Sequence, residues 1–183
     1  MATASNVSSN KSVELRTVIR AEQIQKRVRE MARQISDDNQ GRKLHVLGVL
    51  ENSFVFTSDL IRGIEGPVVC HFIKPRYSQK EHGKAKIEEI YFSHDIDLRG
   101  QHVLIVEGVI HSGVTAEFLM DDFRSRGAAS VKLATLLDRQ AARRVPLQPD
   151  YFGFLVDDHY FVGYGMGSPD QLYRNLPYIA AQS

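Results

Sequence analysis

Tryptophan is absent from this 183-residue chain, and cysteine occurs once, at Cys70. A single thiol excludes an internal disulfide and a thiolate metal cluster. Cys70 stands in the apolar run of residues 68–73 and reads as a buried strand residue, not a reactive nucleophile. No stretch approaches the roughly 18 apolar residues of a membrane span, and the polar N-terminus lacks the apolar core of a secretory leader. The cytoplasm is therefore the expected compartment. Charge of one sign is not in excess: 23 Lys and Arg face 22 Asp and Glu, a net charge of +1. Such a balance offers no global attraction, so neither nucleic acid nor a membrane surface is an expected partner. Internal repeats and interdomain linkers are also missing.

What is present is an ordinary globular composition, 43% hydrophobic and 25% charged. It suits a single domain over residues 13–183 behind a disordered Ser- and Asn-rich tail at 1–12. A short extended segment at 13–19 leads to an amphipathic helix over 21–35, where Ile24, Val28, Met31 and Ile35 recur at helical spacing. Strands are predicted at 44–50 and 68–73, with a helix over 53–62 between them that ends near Gly63. Alternation of this kind indicates an α/β fold, a doubly wound and mostly parallel sheet flanked by helices. Residues 74–86 are polar, basic and without apolar period, so they read as a mobile loop, and 87–92 as a strand leading to a turn at 95–100.

The most informative run is HVLIVEGVIHSGVT, residues 102–115. Residues 103–106 suit a strand buried on both faces. Residues 107–115 read as a loop before a helix marked by Ala116, Leu119 and Phe123. Gly113 lets backbone N–H groups turn inward, and the helix N-terminus adds partial positive charge, so Ser112, Gly113, Val114 and Thr115 form a candidate phosphate cradle. The plainer reading is a hydroxyl side chain serving as a helix cap. Asp157, Asp158 and His159 are the one dense acid–histidine cluster; three adjacent residues point in different directions, so a polar turn is expected there and not a metal site.

Strand, acid, Ser-Gly-x-Thr loop and helix together resemble the 5-phosphoribosyl-1-pyrophosphate (PRPP) loop of type I phosphoribosyltransferases. Residues 46–62 (VLGVLENSFVFTSDLIR), 136–144, 149–165 and 173–179 are similar, in the same order, to segments of the hypoxanthine/guanine branch. The resemblance implies the type I fold with a small purine-binding hood region. It implies a purine or purine nucleotide and PRPP as ligands, Mg2+ as cofactor if the chain is catalytically active, and a homo-oligomer, dimer or tetramer. Residue by residue, it implies that Glu107 holds a ribose hydroxyl and that His111 is the base for the purine's imidazole proton. Arg139 would face the purine's exocyclic oxygen, Tyr160 would stack on the ring, and Phe161 would present backbone groups to the base edge. Glu51, Asn52 and Arg174 would stand on the pyrophosphate side.

Five positions depart from the branch. Glu51 and Asn52 replace a basic residue and glycine, Gly108 replaces a second acid, His111 replaces an aspartate, and Gly167 replaces a magnesium-binding aspartate, with one extra residue before Arg174. A carboxylate about 5 Å from a pyrophosphate oxygen is repelled by roughly 3 kcal/mol per pair of unit charges at an effective dielectric of about 20, so Glu51 opposes the usual ligand unless it points away or holds a cation. The departures therefore imply a homologue that binds a purine nucleotide 5′-phosphate, with standard PRPP-dependent salvage weak or absent. An active hypoxanthine/guanine phosphoribosyltransferase making IMP or GMP is the first alternative. A regulatory or assembly subunit with a vestigial pocket is the second.

Overall fold

A computed structural model describes residues 14–82, 85–91 and 96–182. The predicted tail, and part of the turn expected at 95–100, lie outside the described residues. The chain begins with β1 (Leu15–Ile19) and α1 (Ala21–Asn39), then β2 (Leu44–Val49), α2 (Phe54–Gly63) and β3 (Val68–Ile73). Next come β4 (Arg76–His82), β5 (Ala85–Tyr91), β6 (His102–Ile110), α3 (Val114–Ser125) and β7 (Ser130–Asp138). A 3₁₀ turn at Gln140–Ala142 precedes β8 (Tyr151–Leu155), β9 (Tyr160–Val162) and β10 (Ile179–Gln182).

Five strands pair in parallel in the order β3-β2-β6-β7-β8. Both faces of this sheet are covered, which is why β2, β6 and β7 are near-continuous apolar runs. On one face Val46, Leu104 and Val106 meet Ile24, Met31, Phe56 and Leu60 of α1 and α2. On the other, Leu47, Ile105 and Leu133 meet Leu119 and Phe123 of α3. This is the expected doubly wound architecture. A separate antiparallel sheet, β1-β10-β9, joins the two chain ends and corresponds to the expected hood region.

α1 buries Ile24, Val28, Met31 and Ile35 as its spacing demands. It also continues past residue 35 to Asn39, because the polar last turn is held by tertiary contacts: Asp38 accepts hydrogen bonds from Lys132 (2.8 Å) and Tyr151 (2.6 Å). The helix stops at Gln40, which is left-handed at φ 52° and donates its N–H to Ser36 O.

Three expectations need correction. Residues 74–86 are not a loop throughout, since β4 and β5 form an antiparallel ladder from Arg76↔Tyr91 to His82↔Ala85. Apolar periodicity cannot detect a two-stranded ladder whose pairing lies in backbone hydrogen bonds. The strand predicted at 87–92 is β5, paired with β4 and outside the main sheet. β6 runs on to Ile110, with Glu107, Val109 and Ile110 paired to Thr135, Leu137 and Asp138. Glu107 and Gly108 are thus strand residues, and the loop shrinks to 111–113. Cys70 lies on β3, an edge strand of the main sheet, and is half-buried and not fully enclosed; burial raises its pKa.

Candidate active site

In an open α/β sheet the crevice for a ligand lies at the carboxyl ends of the strands, where the connections part in opposite directions. Here that point falls between β2, which leads through α2 to β3, and β6, which leads through α3 to β7. A cavity of about 190 Å³ occupies it, lined from the β2 side by Val49, Leu50 and Asn52. The β6–α3 side contributes Glu107, Gly108, Val109, His111, Ser112, Gly113, Thr115 and Ala116. Six candidates are therefore brought to one place: Asn52 on one side and, more than fifty residues along the chain, Glu107, His111, Ser112, Gly113 and Thr115 on the other.

Gly113 caps α3 at φ 82°, a left-handed conformation that favours glycine, and it lines the cavity. Its carbonyl accepts the first helical bond, from Glu117 N (2.9 Å), and Val114 N donates to Ser112 Oγ over a long 3.4 Å. The cap is thus Gly113 itself, with no side-chain cap bond, inside the stretch read as a candidate cradle. A Cβ on Gly113 would stand 2.9 Å from both Arg143 Cδ and Val145 Cγ2. The segment after β7 packs over the loop through Arg144 N to Ser112 O (2.9 Å) and Arg139 N to Ile110 O (3.1 Å).

Sequence reasoning missed Arg143. Its guanidinium pairs with Asp138, which is 1% exposed at the end of β7, and its buried Nη1 has no hydrogen-bond partner among the described residues. The available signal was an aspartate ending an apolar strand, which must find a cation nearby. Glu107 also presents a buried oxygen, Oε1, with no described hydrogen-bond partner. Burial pushes its pKa up to about 7, partly opposed by the charge of Arg143. His111 is exposed at the rim; desolvation lowers its pKa, as do the charges of Arg139, Arg144 and Arg143, so the imidazole is neutral at neutral pH.

The pyrophosphate-side residues form a connected group. Glu51 pairs with Lys74 through Oε1 and with Arg174 Nη2 through Oε2 (3.3 Å). Lys74 first, then Arg174, holds its carboxyl below the usual range. Arg174 also donates to Asn52 Oδ1 (2.8 Å), Gly165 O (2.5 Å) and Gln171 Oε1 (2.5 Å). Glu51 therefore falls under the expected exception to its repulsion, because its charge is met by two cations. The two glycine departures acquire a steric reason. A Cβ on Gly108 would stand 2.3 Å from Asn52 O, and one on Gly167 would stand 2.8 Å from Arg174 Nε.

The purine-side candidates stand apart from the cavity lining. Arg139 pairs with Asp158 and its side chain is 16% exposed, so it is not a solvated residue. Tyr160 is 47% exposed and donates its hydroxyl to Gly167 O (3.1 Å). Phe161 is buried, and with His159 it borders a shallow groove between β1 and the start of β9. Among the described residues no three His, Cys, Asp or Glu side chains come together to hold a metal ion. Glu107 is the one carboxylate among the described cavity-lining residues, so these donors do not fit a magnesium ion caged by the protein.

The phosphoribosyl transferase domain family matches residues 17–170. The chain is 34% identical over 168 residues to the hypoxanthine-guanine phosphoribosyltransferase of Bacillus subtilis, covering 90% of this chain and 91% of that protein. It is 35% identical over 179 residues to the bifunctional protein TilS/HprT of Listeria innocua, of whose length it spans 27%. The crystal structure of a hypoxanthine-guanine phosphoribosyltransferase (hpt-2) from Bacillus anthracis matches with a TM-score of 0.81 and 37% identity, covering 94% of this chain and all of that one. These relatives favour the active alternative over the expected homologue of doubtful activity. No helix among the described residues is long and apolar enough to cross a membrane. Sheet order, the place of the cavity and these likenesses converge, and the chain belongs to the phosphoribosyl transferase family, on its hypoxanthine/guanine branch.

Proposed function

We propose that the protein is a PRPP-dependent purine phosphoribosyltransferase that joins hypoxanthine or guanine to ribose 5-phosphate and releases pyrophosphate. The carrying observation is that one cavity holds both the α3 cradle and the loop after β2, and that the acid on this loop is already neutralised. The cradle of residues 112–115 takes the 5′-phosphate, and Glu107 takes a ribose hydroxyl. A purine nitrogen then forms a bond to the anomeric carbon as the bond to pyrophosphate oxygen breaks, and the bonding pair leaves with pyrophosphate. Neutral His111 accepts the proton from the purine's imidazole ring. Arg174 and Lys74 face the charge that grows on the leaving group. Arg139, Tyr160 and Phe161 bound the purine. Most of the acceleration comes from holding both reactants in line. Among the described lining residues only Glu107 offers a carboxylate, and a magnesium ion bound here would supply charge neutralisation for the pyrophosphate.

Incubating the protein with PRPP, magnesium and either base, and following nucleotide formation by ultraviolet absorbance, tests this reading. IMP or GMP should accumulate with one pyrophosphate released per turnover. Stabilisation by IMP without product from either base would return the chain to nucleotide binding alone.

A further inference from the structure

We propose that Glu51 is a displaceable internal carboxylate: in the free protein it occupies Lys74 and Arg174, and the pyrophosphate group of an incoming ligand takes its place. Glu51 thereby sets the affinity for that group. The inference rests on the proposed reading that this side of the cavity receives pyrophosphate.

Glu51, Lys74 and Arg174 come from three separate parts of the chain: the loop after β2, the end of β3 and the segment before β10. Each oxygen of the carboxylate serves one cation. Asn52, the next residue, lines the cavity and accepts from the same arginine, so the paired charges stand beside the cavity wall. The three members differ in freedom. Arg174 is held by Gly165 O, Gln171 and Asn52 and is only 20% exposed. Glu51 is 42% exposed and has water to move into. When a ligand with several negative charges reaches these cations, the fixed arginine stays and the single carboxylate leaves. Its departure costs little, because an exposed carboxylate is well solvated. The competing role is a strut, in which Glu51 holds Lys74 and Arg174 where pyrophosphate needs them.

Calorimetric titration of wild type and Glu51→Gln with PRPP plus magnesium, pyrophosphate alone, and IMP separates the two roles. Displacement predicts that Glu51→Gln binds PRPP and pyrophosphate about fivefold more tightly, with IMP affinity unchanged and the gain shrinking as salt rises. Unchanged or weaker pyrophosphate binding by the variant, with IMP affinity intact, overturns the proposal in favour of the strut. Lys74→Gln provides the opposite sign and should weaken pyrophosphate binding; unchanged binding counts against the proposal. If neither protein binds PRPP while pyrophosphate still prefers Glu51→Gln, the proposed function fails and the displaceable carboxylate stands.

Discussion

In the proposed reaction His111 would keep a chemical role while changing its working range. An imidazole accepts a proton only when neutral, so activity is lost as pH falls below its pKa. Desolvation and the charges of Arg139, Arg144 and Arg143 depress that pKa from 6.5, so the acid limb of kcat/KM should lie below pH 6.5. His111→Asp should move the limb toward about pH 4, and Arg139→Gln should move it up by removing a repelling charge. Replacing His111 by Ala should lower kcat roughly a hundredfold. A pH–rate profile that keeps its acid limb in His111→Ala would assign that limb to another group. The imidazole's candidacy was legible in its chain position. Its electrostatic setting was not, because the arginines around it arrive from beyond β7.

At the scale of elements, the close approach between β6 and the loop after β2 accounts for Gly108. Any side chain there must displace a backbone carbonyl, Asn52 O, 2.3 Å from the Cβ position. Gly108→Ala should therefore push the loop away and lower kcat/KM for PRPP by at least about tenfold, at a stability cost of about 1–3 kcal/mol. Gly108→Asp, which restores the family's second acid, should fare no better alone. Steady-state kinetics with a thermal melt check both; wild-type kinetics in a folded Gly108→Ala would show that the loop yields freely. The elements that carry a strong apolar pattern were legible: α1 through Ile24, Val28, Met31 and Ile35, and β3 at its observed ends. The last turn of α1, the end of β6 and the β4–β5 ladder were not. The first two are fixed by partners distant in sequence, Lys132 for Asp38 and Thr135 for Glu107, and the ladder by backbone pairing that carries no apolar period.

For the whole molecule, the single parallel sheet ties two apolar clusters together, one under α1 and α2 and one under α3. The expected single domain should therefore melt in one transition even when only one cluster is damaged. Phe123 is fully buried beneath α3, and Phe123→Ala should cost about 3–5 kcal/mol and lower Tm by about 10 °C. Circular dichroism and ligand-induced stabilisation should report the same midpoint; two separated transitions would divide the chain into independent units. The doubly wound architecture was readable in the alternation of strands and helices. The cavity could not be read in this way, since it depends on which strand the fold places beside β2.

The pairing of Glu51 with Lys74 and Arg174 also has a kinetic consequence. Cations already matched by a carboxylate project little field into solution, so they do little to draw an anion from a distance. PRPP should then associate at a rate that depends only weakly on ionic strength, and discrimination should begin after contact, when the carboxylate gives way. In Glu51→Gln the unmatched cations should both raise the association rate and make it fall with salt. Stopped-flow measurements at two salt concentrations would register the difference as a change of slope: the free protein trades speed of capture for a surface that leaves passing anions alone.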